Sequence, residues 1–531
     1  MGIRLFFREV EFAFFNMGIP MRAMTADSTD PEMLPHEWLL GEYNGSASNR
    51  WIEHLVVNLI WRSGAVVSES FRVSKDSLGE VRVPMQAYWG PQTQRAIHNF
   101  PISGLRLPRR FIRAQGVIKW AAAKANQDAG TLDAKVAQAI MQAADEVIDG
   151  RFDSHFVVDV YQAGAGTSQN MNANEVIASR AQEILGGERG DTHLVHPNDQ
   201  VNMAQSTNDT IHVAIHIAGA EAIVHDLLPV IDKAAQVLEM KAESWMGVVK
   251  SGRTHLQDAV PMRLGQEIGG YAGALRYWQT SLADRVQRLF AIGIGGNAVG
   301  TGINAHPQYK EWVTRAVAEK TRLPFRQPDN MFTFIQNLDA VLEVSGTLRG
   351  LATAVGKIAN DLRLLSSGPR TGIGELKLPA VQPGSSIMPG KVNPVMAEMM
   401  NMICYQVVGN DTTIQGAVSG AQLELNVMMP VIAYNVLHAV TILSNGIGAF
   451  TEFALMGLDA DLDRVTGYVE MNTALATALN PFIGYDKAAV VAKTAFAEGK
   501  TVRQVVREQN LMDEANLDRA LNLEKMTEPK N

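Results

Sequence analysis

The segment GSSIMPGKVNP, residues 384–394, combines the residue types of a loop with those of an anion-binding site. Its glycines and prolines predict a loop, and Pro394 can begin a helix because the first helical turn tolerates a missing N–H. Within it, the adjacent hydroxyls of Ser385 and Ser386 precede Lys391 and Asn393. Hydroxyl, amide and ammonium donors on one loop can hold a carboxylate. The same residues also suit an ordinary polar surface loop, so the segment alone leaves both interpretations open.

Composition limits the class of protein. The chain has 531 residues, 46% of them hydrophobic and 19% charged, which is typical of a globular protein of more than one domain. The formal net charge is −8 and no long basic run is present, so we expect no nucleic-acid partner. The single cysteine, Cys404, excludes an intrachain disulfide and favours a reducing compartment, from which we expect a cytoplasmic location. No uninterrupted apolar run approaches the length of a membrane span, which predicts no membrane association.

Helical periodicity dominates the chain after an atypical start. We expect residues 1–70 to be a loosely ordered N-terminal extension, or the product of a start codon assigned too early. The remaining regions are predicted to be an N-terminal domain at 71–205, a central helical bundle at 206–462 and a small helical domain at 463–531. Apolar residues spaced three and four apart predict helices at 121–148, 213–249, 266–292, 339–365, 395–408 and 430–453. A kink is expected at Pro229.

Long helices with broad apolar faces are typical of a bundle. Several of these faces carry small residues, as at 269–273 and 346–354. Small residues let helices approach closely, either inside the bundle or at a subunit interface. The sequence therefore predicts a mainly α protein built on a central bundle of long helices.

Four polar clusters are predicted to lie in loops or at helix ends. They occupy residues 164–174, 196–209, 252–258 and 384–398. In the third, His255 is a candidate acid or base because an imidazole titrates near neutrality. In the fourth, Glu398 falls in the first turn after Pro394 and could orient His255 if the two meet. In the second, the helix start at 206–208 could bind a carboxylate or serve only as an N-cap.

Three other patterns argue less strongly for a site. Residues 293–300 are glycine-rich, but their spacing matches neither dinucleotide nor nucleotide-phosphate loops, and they follow a helix. His212 and His216 have the spacing of metal ligands on a helix but lack an evident third ligand, so no metal site is predicted. Ser385 lacks the Gly-x-Ser-x-Gly context of a hydrolase nucleophile.

The four clusters together resemble the signatures of the aspartase/fumarase superfamily. The matching blocks are AGTSQNMNANEV from Ala165, HPNDQVNMAQSTND from His196, GRTHLQDAVPMRLGQE from Gly252 and GSSIMPGKVNP from Gly384. The resemblance begins near residue 71 and excludes the first 70 residues. It implies a three-domain, mainly α fold and a homotetramer whose active sites are shared between subunits. It also implies reversible anti elimination from a small dicarboxylate substrate, releasing fumarate without a cofactor or metal.

The resemblance also implies a role for each matching residue. Ser385 would act as an alkoxide base on the carbon next to a carboxylate, giving an aci-carboxylate intermediate. Thr254, Lys391 and Asn393 would hold the carboxylate that takes up charge. The distal carboxylate would be held by Thr167, Ser206, Thr207 and Ser386. Asn208 and His255 would face the leaving group, with Glu398 supporting His255. A candidate second anion site comprises His196, Asn198 and Asp199.

The leaving group is harder to predict than the chemistry. AGTS, QSTND, DAVPM, NPVMAE, GNDTT and QLELNVM resemble aspartases, whereas HPND and NPFIGYDKAA resemble fumarases. On this comparison we expect aspartate ammonia-lyase, with class II fumarate hydratase as the alternative and a catalytically silent structural relative as a third. Lyases acting on argininosuccinate or adenylosuccinate fit the blocks around Asn208 and His255 poorly. The segment 210–213 departs from the aromatic-Pro-Thr pattern of both leading branches.

Overall fold

The structure is a computed structural model that describes residues 70–529. Apart from Ser70, the extension predicted at residues 1–70 lies outside the described residues. Helices make up most of the described part, which confirms the prediction of a mainly α protein.

The region before residue 206 has two short strands followed by helices. Their bounds are β1 Phe71–Asp76, β2 Gly79–Pro84, α1 Pro91–Asn99, α2 Arg109–Asp128, α3 Ala134–Ile148 and α4 Thr167–Ile184. The prediction of one continuous helix at residues 121–148 is wrong. The chain turns at Gly130, whose φ is +70° and therefore favours glycine. Asp133 then caps α3 by accepting backbone N–H groups from its first turn.

The central region contains the long helices of the bundle. Its elements are α5 Thr207–Ala222, α6 Leu228–Ser244, β3 Val249–Thr254, β4 Gln257–Arg263, α7 Leu264–Leu289, α8 Tyr309–Thr321, α9 Met331–Gln336, α10 Asp339–Leu365, β5 Leu376–Lys377, α11 Val395–Ser419 and α12 Met429–Phe450. Helix α7 packs on α6 and α10, and α11 packs on α10 and α12. Their buried side chains recur at helical spacing and form one continuous apolar core with α2 and α5.

The long helix predicted at residues 213–249 is divided. A π-helical turn, Ile223–Leu227, joins α5 to α6. Pro229 lies in the first turn of α6, where the proline's missing N–H costs little. The kink predicted at Pro229 thus coincides with the change from one helix to the next.

Two glycines allow close contact between long helices. A Cβ placed on Gly350 in α10 would lie 2.0 Å from the indole of Trp278 in α7, and one on Gly446 would lie 2.4 Å from Ile403. The rigid indole excludes a larger residue at Gly350, whereas the end of the Ile403 side chain would have to move to admit one at Gly446. By contrast, Gly270, Gly273 and Gly346 would meet nothing within 4 Å. Their small-residue faces are open in the single chain.

The chain ends in shorter helices. They are preceded by the strand β6 Asp459–Ala460, which pairs with β5, and their bounds are α13 Leu462–Met471, α14 Asn480–Ile483, α15 Tyr485–Glu498, α16 Val502–Glu508 and α17 Glu514–Ala520. A separate apolar cluster extends from Val469 to Leu521. The division into domains at 71–205, 206–462 and 463–531 stays a prediction. Side chains of α2 contribute both to the central apolar core and to a second apolar cluster, so the apolar clusters do not separate the first region from the second.

Two helical stretches in the described residues are long and apolar enough to cross a membrane by length and composition. They are Thr207–Ser244, whose most apolar window is 67% buried, and Met429–Leu455, whose window is 61% buried. Both stretches contain polar or charged residues, so neither is an uninterrupted apolar run. Both stretches supply side chains to the central core, which accounts for their hydropathy without a membrane.

Candidate active site

Ser385 lies in the loop that joins β5 to α11, and its hydroxyl oxygen is held by the loop backbone. Oγ of Ser385 accepts the backbone N–H of Met388 at 3.0 Å and that of Ile387 at 3.3 Å. Backbone N–H groups aimed at this oxygen stabilise negative charge on it. The geometry therefore suits a serine that must lose its proton.

The neck of the loop is closed at Gly384. Its backbone N–H donates to the carbonyl of Lys391 at 2.8 Å, and its carbonyl accepts from Nδ2 of Asn393 at 2.7 Å. One amide hydrogen of Asn393 thus fixes the loop, a role the sequence did not suggest. A Cβ at Gly384 would lie 2.4 Å from the carbonyl oxygen of Lys391. Only glycine fits this neck.

The remaining groups of the loop face solvent. Ser386 and Lys391 are exposed, and Glu398 lies in the first turn of α11, as predicted. Within residues 70–529, neither the Lys391 ammonium nor the Glu398 carboxylate makes a side-chain hydrogen bond or ion pair. Both are therefore available to a ligand or to another chain.

Thr254 and His255 lie at the tip of the β3–β4 hairpin rather than in an irregular loop. His255 and Leu256 have φ values of 56° and 61°, the left-handed geometry of a tight two-residue turn. Thr254 and His255 are both exposed. In the described part of the chain, the imidazole of His255 has no hydrogen bond, so the predicted pairing with Glu398 is absent within one chain.

The base of this hairpin is fixed by buried charges. Glu375, fully buried, lies 3.0 Å from Nζ of Lys250 and 2.8 Å from the guanidinium of Arg253. Lys250 also contacts Glu267 at 2.6 Å. Breaking such a buried network is costly because it leaves a charge unpaired. The network ties the hairpin to the segment that leads into the Ser385 loop.

The N-termini of α4 and α5 lie side by side and bring two predicted clusters together. Thr167 begins α4, and Ser206 caps α5 in a capping box with Asp209. Asn170 in α4 donates to Oγ1 of Thr207 in α5 at 3.2 Å. Two helix N-termini with their hydroxyls converge here, an arrangement that favours a carboxylate. The structure shows the N-cap, since Oγ of Ser206 accepts the backbone N–H of Asn208, and binding of an anion at residues 206–208 stays a prediction.

The first polar cluster, residues 164–174, lies at the N-terminal end of a helix, one of the two kinds of place predicted for it. From Thr167 onward it forms the first half of α4, and most of its amide side chains are buried. Asn172, for example, donates to the carbonyl of His155 and accepts the backbone N–H of Val157. Buried polar groups remain in the helix because they find partners.

Asp209 anchors the glycine-rich segment that matches no nucleotide motif. Its carboxylate accepts the backbone N–H of Ser206, Gly295 and Asn297 at 2.9–3.0 Å. Burial raises the pKa of Asp209 to about 7, although these three hydrogen bonds favour the ionised form. The neighbouring Asn208 donates to the carbonyl of Ala298 at 2.8 Å. The segment 293–300 therefore holds the start of α5 in place.

Lys119 is a buried group of this region that the sequence did not single out. It lies on α2, is 1% exposed, and its ammonium donates at 2.9 Å to amide oxygens of Asn170, Asn202 and Gln205. A signal was present in the sequence, since Lys119 is a charged residue within a run of buried apolar positions.

Two residues of the candidate second anion site, Asn198 and Asp199, lie in the π-helical turn Pro197–Val201, and the third, His196, caps its N-terminus. Nδ1 of His196 accepts the backbone N–H of Asp199 at 3.2 Å, and its ring also lies 3.2 Å from the Asp199 carboxylate. Asn198 and Asp199 are exposed. Nothing in the described structure tests their binding to an anion.

His212 and His216 are buried in α5. His212 stacks on Phe334 with ring centroids 4.1 Å apart, and Nδ1 of His216 lies within 3.1 Å of the carbonyls of Leu289 and Ala291. Burial lowers the pKa of His216 to about 4 and that of His212 well below its ordinary value. Among residues 70–529, no group of three or more His, Cys, Asp and Glu side chains could hold a metal ion. The prediction of a metal-free site stays a prediction.

Comparison with known proteins gives concordant matches. A family model described as Lyase matches residues 79–409, and one described as Fumarase C C-terminus matches residues 475–528. Fumarate hydratase class II of Halobacterium salinarum is 52% identical over 461 residues, covering 87% of this chain and 98% of the relative. Aspartate ammonia-lyase of Bacillus subtilis is 46% identical, covering 87% and 97%. Among the relatives compared, fumarate hydratase is the more frequent name.

The fold has a solved counterpart. The crystal structure of class II fumarase from Schistosoma mansoni matches with a TM-score of 0.85 at 37% identity, covering 87% of this chain and all of that one.

Proposed function

Because the chain belongs to the lyase family that contains class II fumarate hydratases and aspartate ammonia-lyase, we propose that it catalyses the reversible hydration of fumarate to L-malate. The local motifs favoured aspartase, but the named relatives support fumarate hydratase better, so the proposal differs from the prediction made from the motifs. The fumarase-like blocks HPND and NPFIGYDKAA agree with them.

One observation carries the proposed chemistry: Oγ of Ser385 accepts two backbone N–H groups of its own loop. In the dehydration direction, the Ser385 alkoxide takes the proton from the carbon next to one carboxylate of malate. The electron pair of that C–H bond moves into the carboxylate and forms the aci-carboxylate. Collapse of this intermediate forms the double bond and expels the hydroxyl, which leaves as water with a proton from His255.

The other predicted residues have separate tasks in this proposal. Lys391, Asn393 and Thr254 balance the charge that develops on the reacting carboxylate. Thr167, Ser206, Thr207 and Ser386 hold the distal carboxylate at the paired N-termini of α4 and α5. Asn208 orients the leaving group, and Glu398 of another subunit supports His255.

Sharing of active sites in a homotetramer is part of the proposal. Among residues 70–529 of one chain, the side chains of His255 and Glu398 have no hydrogen-bond or ion-pair partner. Moreover, α11 exposes apolar side chains spaced three apart, namely Met402, Tyr405 and Val408. An apolar stripe of this kind on a long helix is suited to a subunit interface.

Aspartate ammonia-lyase is the second candidate. Its support is the group of local blocks AGTS, DAVPM, NPVMAE and QLELNVM, together with the Bacillus subtilis relative. The two enzymes share the carbon skeleton of their substrates and differ in whether water or ammonia leaves. A site whose polar groups are arranged for one leaving group leaves some of them unpaired when the other substrate binds. This can lower the specificity for the wrong substrate by a factor of about 10⁴.

The purified protein should form fumarate from L-malate, followed by its ultraviolet absorbance, and far less from L-aspartate. Ser385→Ala should lower kcat by about 10²- to 10⁴-fold, because the base is removed while the loop backbone is kept. Ser366→Ala, in the segment after α10, is the control and should keep full activity. Formation of fumarate from L-aspartate but not from L-malate would establish the second candidate. Normal turnover by Ser385→Ala would exclude this serine as the base.

A further inference from the structure

Lys119 is a buried cation without a hydrogen-bonded anion. Its side chain is 1% exposed, and its three partners, the amide oxygens of Asn170, Asn202 and Gln205, are uncharged. In the described part of the chain, no carboxylate lies within ion-pair distance of its Nζ. A buried ammonium normally requires a partner of opposite charge.

Lys250 shows the usual arrangement in the same protein. It is equally buried, but its Nζ contacts the carboxylates of Glu267 and Glu375. The acidic group that acts on Lys119 through space is Asp209, whose carboxylate is already occupied by three backbone N–H groups. Burial lowers the pKa of Lys119 to about 7. An anion that binds from solvent would compensate the charge of the Lys119 ammonium and would therefore favour the protonated form of Lys119.

A short hydrogen-bond chain connects Lys119 to the surface. Its ammonium donates to Oδ1 of Asn170, and Nδ2 of Asn170 donates to Oγ1 of Thr207. Because the Thr207 oxygen accepts from the interior, its own hydrogen is free to donate outward. Thr207 is half-buried in the first turn of α5. Polarisation along such a chain strengthens the last donor.

We propose that Lys119 is a positioning residue whose buried charge is neutralised by the distal carboxylate of the substrate, bound at Thr207. The inference rests on the proposed function and extends it, since it identifies the cation that selects a dicarboxylate over a monocarboxylate. Lys119 acts through Asn170 and Thr207 and does not touch the substrate.

Two variants test this role from opposite directions. Lys119→Met removes the charge, while Asn202→Asp keeps the lysine and places a carboxylate where an amide oxygen now lies 2.9 Å from Nζ. Both should raise the KM for fumarate by about 10- to 100-fold and leave kcat within about threefold. Succinate, measured by calorimetry as an unreactive dicarboxylate probe, should lose affinity by the same factor. Lys124→Met is the control, since Lys124 lies on the same helix and pairs only with Asp128 at its exposed face.

The outcomes separate this inference from the proposed function. If the wild type hydrates fumarate but both variants keep its KM and its succinate affinity, the role of Lys119 is overturned and the function stands. A parallel loss of kcat and thermal stability without a selective rise in KM would show a structural role and also overturn it. A wild type that neither forms malate nor binds succinate would overturn both proposals. If Lys119→Met does not fold, the KM of Asn202→Asp decides.

Discussion

At the scale of single residues, the described structure pairs most buried charges and leaves a few polar groups unpaired. Glu375 is held by two cations, whereas neither nitrogen of the His212 imidazole has a hydrogen-bond partner among residues 70–529. His212 also falls in the segment where the chain departs from the aromatic-Pro-Thr pattern of its family. An unpaired buried polar group costs about 1–3 kcal/mol.

His212 should make the protein sensitive to acid. Its pKa in the folded protein lies well below the ordinary 6.5. As the pH falls below about 6.5, the unfolded chain therefore takes up a proton that the folded protein does not, and stability falls. His212→Leu should keep or raise Tm at pH 7.5 and lose less Tm between pH 7.5 and 5.5 than the wild type.

The control for this prediction is His193→Gln, because His193 is exposed and should leave the acid dependence of Tm unchanged. Identical pH profiles of Tm for His212→Leu and the wild type would show that His212 does not contribute.

At the scale of elements, the long helices and the Ser385 loop differ in the interactions that hold their conformation. Helix α10 begins and ends where its apolar periodicity predicts, at Asp339 and Leu365. The Ser385 loop has no such periodicity, and its shape depends on hydrogen bonds that close its neck at Gly384. Thr501 caps α16 in a capping box with Gln504, a pattern that depends only on residues close in the sequence. Local signals thus predicted both ends of α10 but not the geometry of the Ser385 loop.

Gly384→Ala should damage catalysis more than stability. The added Cβ would lie 2.4 Å and 2.8 Å from backbone atoms of Lys391 and Asn393, which must move apart. Displacement of Ser385 by about 1 Å should lower kcat by about 10²-fold, while Tm changes little because the loop is exposed. Gly467→Ala is the control, since its Cβ meets nothing within 4 Å. Full activity in Gly384→Ala would mean that the neck does not position Ser385.

At the scale of the whole molecule, the family and the mainly α fold confirm the resemblance that the sequence motifs suggested. The site residues remain in separate groups within one chain: the paired N-termini of α4 and α5, the hairpin tip with His255 and the loop with Ser385. Contacts in the described structure join Thr167 and Thr207 through Asn170, but no hydrogen bond joins these groups to His255 or Ser385. Shared sites between subunits would account for this separation.

Subunit sharing predicts complementation between two inactive variants. Ser385→Ala and His255→Asn should each be inactive alone. If each site takes Ser385 and His255 from different subunits, hybrids from an equal mixture should regain about a quarter of wild-type activity, since each site has one chance in two of receiving each intact residue. The mixture is unfolded and refolded together, with separately refolded samples as controls. No recovered activity in verified hybrid tetramers would contradict the sharing.

The sequence by itself determined the family and the mainly α fold, and it predicted the residues of the candidate site. These depend on short patterns, such as GSSIMPGKVNP and apolar spacing, that act over a few residues. It did not determine that residues 167–174 are helical, that Asn393 closes the loop, or that Lys119 lies beneath Thr207. Each of these depends on partners distant in the chain, 51 positions for Lys119 and Asn170, and only folding brings them within hydrogen-bonding range. The tertiary structure therefore decided where charge is buried, whereas the sequence had shown which groups carry it.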